Sequence, residues 1–439
     1  MSVPLTAAGV EALAPDAASA AAGKKLAQPG SWKTLGQSAA ALWGECQGSA
    51  GYQTRVALAD LALKCTCPSR KFPCKHALGL LLLAVNQPAL LATSAEPEWV
   101  TSWLEQRSAT QERKAARARA GVDKPVDVAA KSRRAEKRQD NILAGLDQLD
   151  AWLNDLVRQG LARVQGESWS FWDAQARRLV DAQAPGLAAR VRSLGARAGS
   201  SEQWAPRLLD DLGQLALLSH AARRVDQLQP LVAADVRRLI GLTLEQSEVI
   251  AHGDLVQDEW QVLAERVDEG ERVTTQRAWL RGKASGRTAL VLQFSAGTQF
   301  EHTLLTGLQL RARLAFWPSA APQRALIAEQ QGPAEPFSET PAGDAIPAAL
   351  ARFCGLLAGC PWLDATLLVL AGVIPVGSEP VRLADATGHA LPLSRGDHDV
   401  LFALSGGHGL TLAGEWDGYR FMPRCAWAEG RRVVLERDA

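Results

Sequence analysis

Three cysteines and a histidine crowd into the run Cys65-Thr66-Cys67-Pro68-Ser69-Arg70-Lys71-Phe72-Pro73-Cys74-Lys75-His76, and this C-x-C-x6-C-x-H spacing constrains the fold more than any other feature of the 439-residue chain. In an extended strand residues i and i+2 share a face, so Cys65 and Cys67 can reach one point. Pro68 and Pro73 make the intervening segment turn, which brings Cys74 and His76 back towards it. Three thiolates and an imidazole form a recognised tetrahedral ligand set for structural Zn2+. The alternative, three free thiols and an unrelated histidine, offers no reason for paired two-residue spacing beside a histidine. A catalytic zinc is disfavoured, because four protein ligands leave no position for water. Lys75, Arg70 and Lys71 would moderate the charge of three thiolates.

The flanking pattern predicts the element that carries each ligand. Ala41 to Cys46 reads as a short strand, Gly48 to Gly51 as a turn, and Tyr52, Thr54, Val56 and Leu58 alternate as in a strand with one buried face. Leu61, Leu63, Cys65 and Cys67 continue an alternating phase after a break at Asp60. From His76 an apolar run predicts a helix that stops before Pro88, and a further helix is predicted near Ser94 and Pro97. Beyond it, Gln106 to Arg138 holds eleven Lys or Arg against four Asp or Glu, a segment charge of +7 that leaves −6 on the rest of a chain whose total is +1. That stretch has almost no large apolar residue and is read as a linker unable to order itself.

Apolar residues from Ile142 to Val157 recur at helical spacing, and similar patterns follow to Ala222. Short segments rich in Val, Leu, Thr and Trp then predict a meander of antiparallel strands from Trp260 to Ala328. A helix from Ala345 to Leu357 is predicted next. Strands are predicted around Leu367 to Ile374, Val381 to Leu383, Val400 to Leu404, Leu410 to Trp416 and Arg432 to Leu435. The expected class is α+β: a small ββα zinc-finger module, then a helical region, then a strand-rich α+β region. The expected domains are 1–105 (finger), 106–138 (basic linker), 139–245 (helical) and 246–439 (strand-rich).

With the strand before it and the Leu-rich helix after it, the Cys65–His76 segment resembles the SWIM zinc finger family, whose pattern is C-x-C, a variable gap, then C-x-H on a strand, turn and helix. The resemblance covers residues 40 to 85, and the remainder is similar to the tail of bacterial SWIM-containing proteins. It implies zinc ligation by Cys65, Cys67, Cys74 and His76 and a role in binding DNA or protein. It also implies possible partners of the AAA ATPase and von Willebrand factor A types, and supplies no substrate.

Two interaction chemistries stay open. Arg70, Lys71, Phe72 and Lys75 have the makings of phosphate contact and base stacking, or of a solvated loop with Phe72 capping the helix below. The basic stretch would add salt-dependent affinity for nucleic acid, or is solvated only. The near-zero net charge argues against a dedicated DNA binder. Asp397-His398-Asp399, with His389 and His408 near in sequence, sits among glycines and reads as loops, and Ser405 to Gly409 as a hairpin turn. No nucleophile motif appears, so no enzymatic activity is expected. The odd cysteine number, without a signal peptide or an apolar run approaching roughly 20 residues, predicts a cytoplasmic protein.

Overall fold

The computed structural model describes the chain except residues 1–4, 12, 16, 48–50, 70, 121–127, 201–203, 271–272, 296–299, 379, 395, 397 and 436–439. The period-2 alternation around the cysteines becomes a sheet covered on both faces. Helices α1 (Ala7–Glu11) and α2 (Ala17–Leu26) precede strands β1 (Trp32–Gln37), β2 (Ala41–Cys46), β3 (Tyr52–Ala57) and β4 (Leu63–Cys65), then helix α3 (Lys75–Asn86) and strand β5 (Ala92–Thr93). The sheet order is β4-β3-β2-β1-β5, antiparallel but for β5 beside β1. Leu42, Val56 and Leu63 stand in register and point towards α3, while Ala41, Ala57 and Trp43 face helix α4 (Glu98–Ala120) through Val100, Trp99 and Trp103. Gly36 lies opposite Trp43, whose ring a Cβ would meet at 2.6 Å.

The helical region runs through α5 (Val128–Gln159), α6 (Trp169–Asp181), α7 (Pro185–Arg197), α8 (Trp204–Arg223) and α9 (Pro230–Ile240), with a second core around Leu146, Trp172, Leu187, Leu208 and Val236 that also takes in Ala321, Cys360 and Trp362. One expectation changes here. The basic stretch 106–138, read as unable to order itself, is entered by α4 as far as Ala120 and by α5 from Val128. Ala, Arg, Lys, Glu and Gln are strong helix formers, so they extend helices whose other turns, at Val100 and Trp103 of α4 and at Ile142 and Leu146 of α5, are packed.

After helix α10 (Gln246–His252) come β6 (Asp254–Glu269), β7 (Thr274–Gly282), β8 (Thr288–Ser295), β9 (Leu308–Phe316) and β10 (Arg324–Pro336). They close a barrel in the order β10-β8-β7-β6-β9. The expected meander is therefore corrected: β10 pairs parallel with β8, and the long β6 pairs β9 through its first half and β7 through its second. The result is a five-stranded Greek-key barrel, the architecture used by OB folds. Alternation along each strand shows local strand character but not which distant strand it will meet.

The last part pairs helix α11 (Ile346–Gly359) with β11 (Thr366–Val376), β12 (Arg382–Ala384), β13 (Ala390–Pro392), helix α12 (Asp399–Ser405), β14 (Leu410–Trp416), β15 (Phe421–Ala428) and β16 (Arg431–Val434), in the sheet order β13-β12-β11-β14-β15-β16. Val400 to Leu404, expected as a strand, belongs to α12. Asp399 in the first turn and Gly406 in the left-handed conformation at the end are helix signals that outweigh a short apolar run. Ser405 to Gly409 is accordingly a helix terminus leading into β14 and not a hairpin turn.

The parts are not beads on a string. One continuous core joins Leu42, Leu78, Leu80 and Leu83 of the finger to Trp260, Leu280, Val291, Leu310 and Phe316 of the barrel. Thr303 donates its hydroxyl to the Leu61 carbonyl at 3.0 Å, and Arg107 of α4 pairs with Asp60. Leu263, Trp279 and Leu290 of the barrel pack on Val369, Ala413 and Trp427 of the last sheet. The buried Asp235 of α9 accepts from Ser319 Oγ at 3.0 Å and the Ala320 amide at 2.8 Å.

Candidate metal centre

Cys65 ends β4, and Cys67 follows two residues later outside the strand. Cys74 caps the N-terminus of α3 with extended backbone, and His76 lies in that helix's first turn. Chain direction thus reverses between the two ligand pairs, as Pro68 and Pro73 predict. The three sulfurs and one imidazole nitrogen all lie within 4.8 Å of one another, and Cys65 Sγ is 3.7 Å from His76 Nδ1. Zn–S bonds of about 2.3 Å in a tetrahedron place sulfurs about 3.8 Å apart. The donor set and its spacing fit Zn2+. Among the described residues this is the one group of its kind.

The surroundings prepare the thiolates. Cys74 and His76 are buried. The Thr54 hydroxyl is 3.2 Å from Cys65 Sγ, and the backbone amides of Ser69 and Ala77 bond the sulfurs of Cys67 and Cys74. The Tyr52 ring lies 4.9 Å from that of His76, tilted by 34°. Hydrogen bonds with Cys65 and then Cys74 hold the Cys67 thiol far below its usual range, whereas those with Cys65 and Cys67 push the Cys74 thiol far above it. Burial lowers the basicity of His76, but its bonds to Cys65 and Cys67 outweigh that and raise it to about 9. The site therefore holds positive charge strongly, and a metal replaces protons there. Cys46 is buried close by, its thiol raised first by burial and then by Cys65, yet its Sγ bonds to the Gln47 carbonyl.

The basic residues of the loop are placed differently from one another. Lys71 and Lys75 are exposed. Phe72 is half-buried and packs against the finger's core, while Arg70 lies outside the described residues. His398 bonds through Nε2 to the Ser394 carbonyl, and His389 contacts Thr387 beside Asp385. Asp397 lies outside the described residues. Thr54 and Tyr52 escaped the motif reading because they lie on β3. The alternation of Tyr52, Thr54, Val56 and Leu58 marked the strand, but only the β3–β4 register, which pairs Thr54 directly with Cys65, brings it to the site.

No helix among the described residues is long and apolar enough to cross a membrane. No curated protein and no solved structure matches the chain. Family models do match it: that of the SWIM zinc finger over residues 52–84, and that of the SWIM-associated four-helix bundle domain over residues 137–240. The second match covers most of α5 and all of α6 to α9, the helices that share the second core. With a Cys3His cluster that fits Zn2+ inside the first match, the chain carries a SWIM zinc finger, a zinc-binding interaction module, followed by its associated helical bundle.

Proposed function

We propose that this protein is a zinc-stabilised, non-catalytic scaffold that engages a protein partner rather than nucleic acid. The observation that carries this reading is the placement of Phe72. As the one aromatic of the loop between Cys67 and Cys74, it lies half-buried against the finger's core, which leaves less of its ring for base stacking. The net charge of +1 supports the same conclusion, since counterion release rewards strongly basic domains. So does the barrel. Trp279 of β7 lies against the last sheet, covering part of the face that barrels of this architecture offer to oligonucleotides. The closed ligand set supports a structural role for the metal. Trp169, 62% exposed at the start of α6, offers a protein partner an aromatic anchor. An assembly containing AAA-type ATPase and von Willebrand factor A proteins is the form of this reading that the resemblance to bacterial SWIM proteins suggests.

Lys71 and Lys75, both exposed beside the metal centre, favour the second reading, contact with phosphates. Affinity capture of the full chain from its native cell, with and without nuclease, separates the two. Protein partners retained after nuclease and lost with Cys74→Ser uphold the scaffold. A gel shift that weakens steeply with salt and disappears in the Lys71→Ala, Lys75→Ala double variant overturns it.

A further inference from the structure

Where the barrel meets the last sheet, the turn between β7 and β8, the β9–β10 connection, α11 and the start of β11 enclose a cleft of about 440 Å3. Three guanidinium groups line it: Arg281, Arg287 and Arg352. Two of them have acidic partners. Arg287 pairs with Asp254 and lies 4.1 Å over the Phe316 ring, and Arg352 pairs with Asp344. Arg281 donates instead to the Ala342 carbonyl and, among the described residues, contacts no carboxylate directly. Burial, and then the like charge of Arg352, lower its basicity, so the two cations stand near enough to repel.

Deeper in the cleft, Gln323 is 6% exposed and Thr366 3%. The Thr366 hydroxyl donates to Gln323 Oε1 at 2.7 Å, and among the described residues the Gln323 amide nitrogen has no hydrogen-bond partner. Asp344, which pairs with Arg352, offsets the charge on Arg281 only from a distance, so an orphaned buried donor lies beside two guanidinium groups that share one carboxylate, an arrangement that an anion relieves. Phe353, Leu356, Leu367 and Pro322 supply an apolar wall. At Gly355 and Gly286, both lining the cleft, an added Cβ would meet open space. Forked guanidinium donors match the oxygens of a phosphate.

We propose that this cleft binds a phosphate monoester with a small apolar or aromatic group, its phosphate held between Arg281 and Arg352 and its organic part lying on Phe353 and Leu356. The held positions of Arg287 and Arg352 mean that little side-chain freedom is lost on binding. The cleft and the metal centre share no residue, so this site is independent of the scaffold reading.

The test is calorimetric titration of the full, zinc-loaded chain with phenyl phosphate, inorganic phosphate and benzoate. Phenyl phosphate is expected to bind saturably, at least about tenfold more tightly than either fragment, because it engages the charged and apolar walls together. Arg281→Gln should weaken it about tenfold or more. Gly355→Leu, which fills open space on the helix one turn from Arg352, should abolish it without lowering the melting temperature of the ligand-free protein, since Leu is the better helix former. Absence of saturable phenyl phosphate binding, or unaltered affinity in both variants, overturns the site. Benzoate binding as tightly as phenyl phosphate overturns the choice of phosphate.

Discussion

At the residue scale the metal centre depends on groups that are not ligands. Thr54 is fully buried and its hydroxyl contacts Cys65 Sγ, so Thr54→Val removes that contact with almost no change of volume. Zinc affinity should fall about 10- to 100-fold, the usual cost of losing an outer partner of a ligand, as read by competition with a chromophoric chelator. Cys74→Ser should release the metal altogether, lowering the content found by elemental analysis from one zinc per chain to none. Protons compete at the same place. Because His76 holds its proton up to about 9, Zn2+ must displace it, and affinity should drop about tenfold per pH unit for each proton displaced as the solution is acidified. A flat affinity between pH 8 and 6 would contradict this account.

At the element scale, Asp258 of β6 shows how a turn is held. Its carboxylate accepts from the Ser285 amide at 2.8 Å and the Ala284 amide at 3.1 Å, tying the β7–β8 turn to the neighbouring strand. Burial raises its pKa, but the bonds from Ser285 and Ala284 outweigh this and lower it. A depressed folded value means stability present above the unfolded value of about 3.9 and lost as pH falls through the folded one. Asp258→Ala should cost about 2 kcal/mol in denaturant unfolding at neutral pH and flatten the acid limb of the stability curve. The elements themselves were unequally legible. The β2–β3 hairpin, α3 and the helical region follow from spacings along the chain alone. Helices α1 and α2 did not, because an Ala-rich start carries little periodic contrast, and β1 did not, because its two large apolar residues, Trp32 and Leu35, stand three apart and break the period-2 pattern. Nor could Arg281 and Arg352 be recognised as neighbours, since 71 positions of sequence separate residues that only the packing of α11 against the barrel brings together.

For the whole molecule, the shared core changes what loss of zinc should do. Independent domains would confine the damage to Tyr52–Val85. Instead Leu80, fully buried in the finger, belongs to the same cluster as Trp260 and Phe316 of the barrel, whereas the helical bundle has a separate one. Chelation should therefore speed amide exchange in both the finger and the barrel strands, leaving α6 to α9 protected. Leu80→Ala, at about 2–5 kcal/mol, should loosen the same two regions together. The short β4 has a further consequence. It is the outermost strand of its sheet, three residues long, and its last residue is a zinc ligand, so the metal fastens the cover over the β3 edge. Once that fastening is gone, β3 presents unpaired amides and carbonyls to other chains, and zinc-starved protein should self-associate edge to edge before it unfolds.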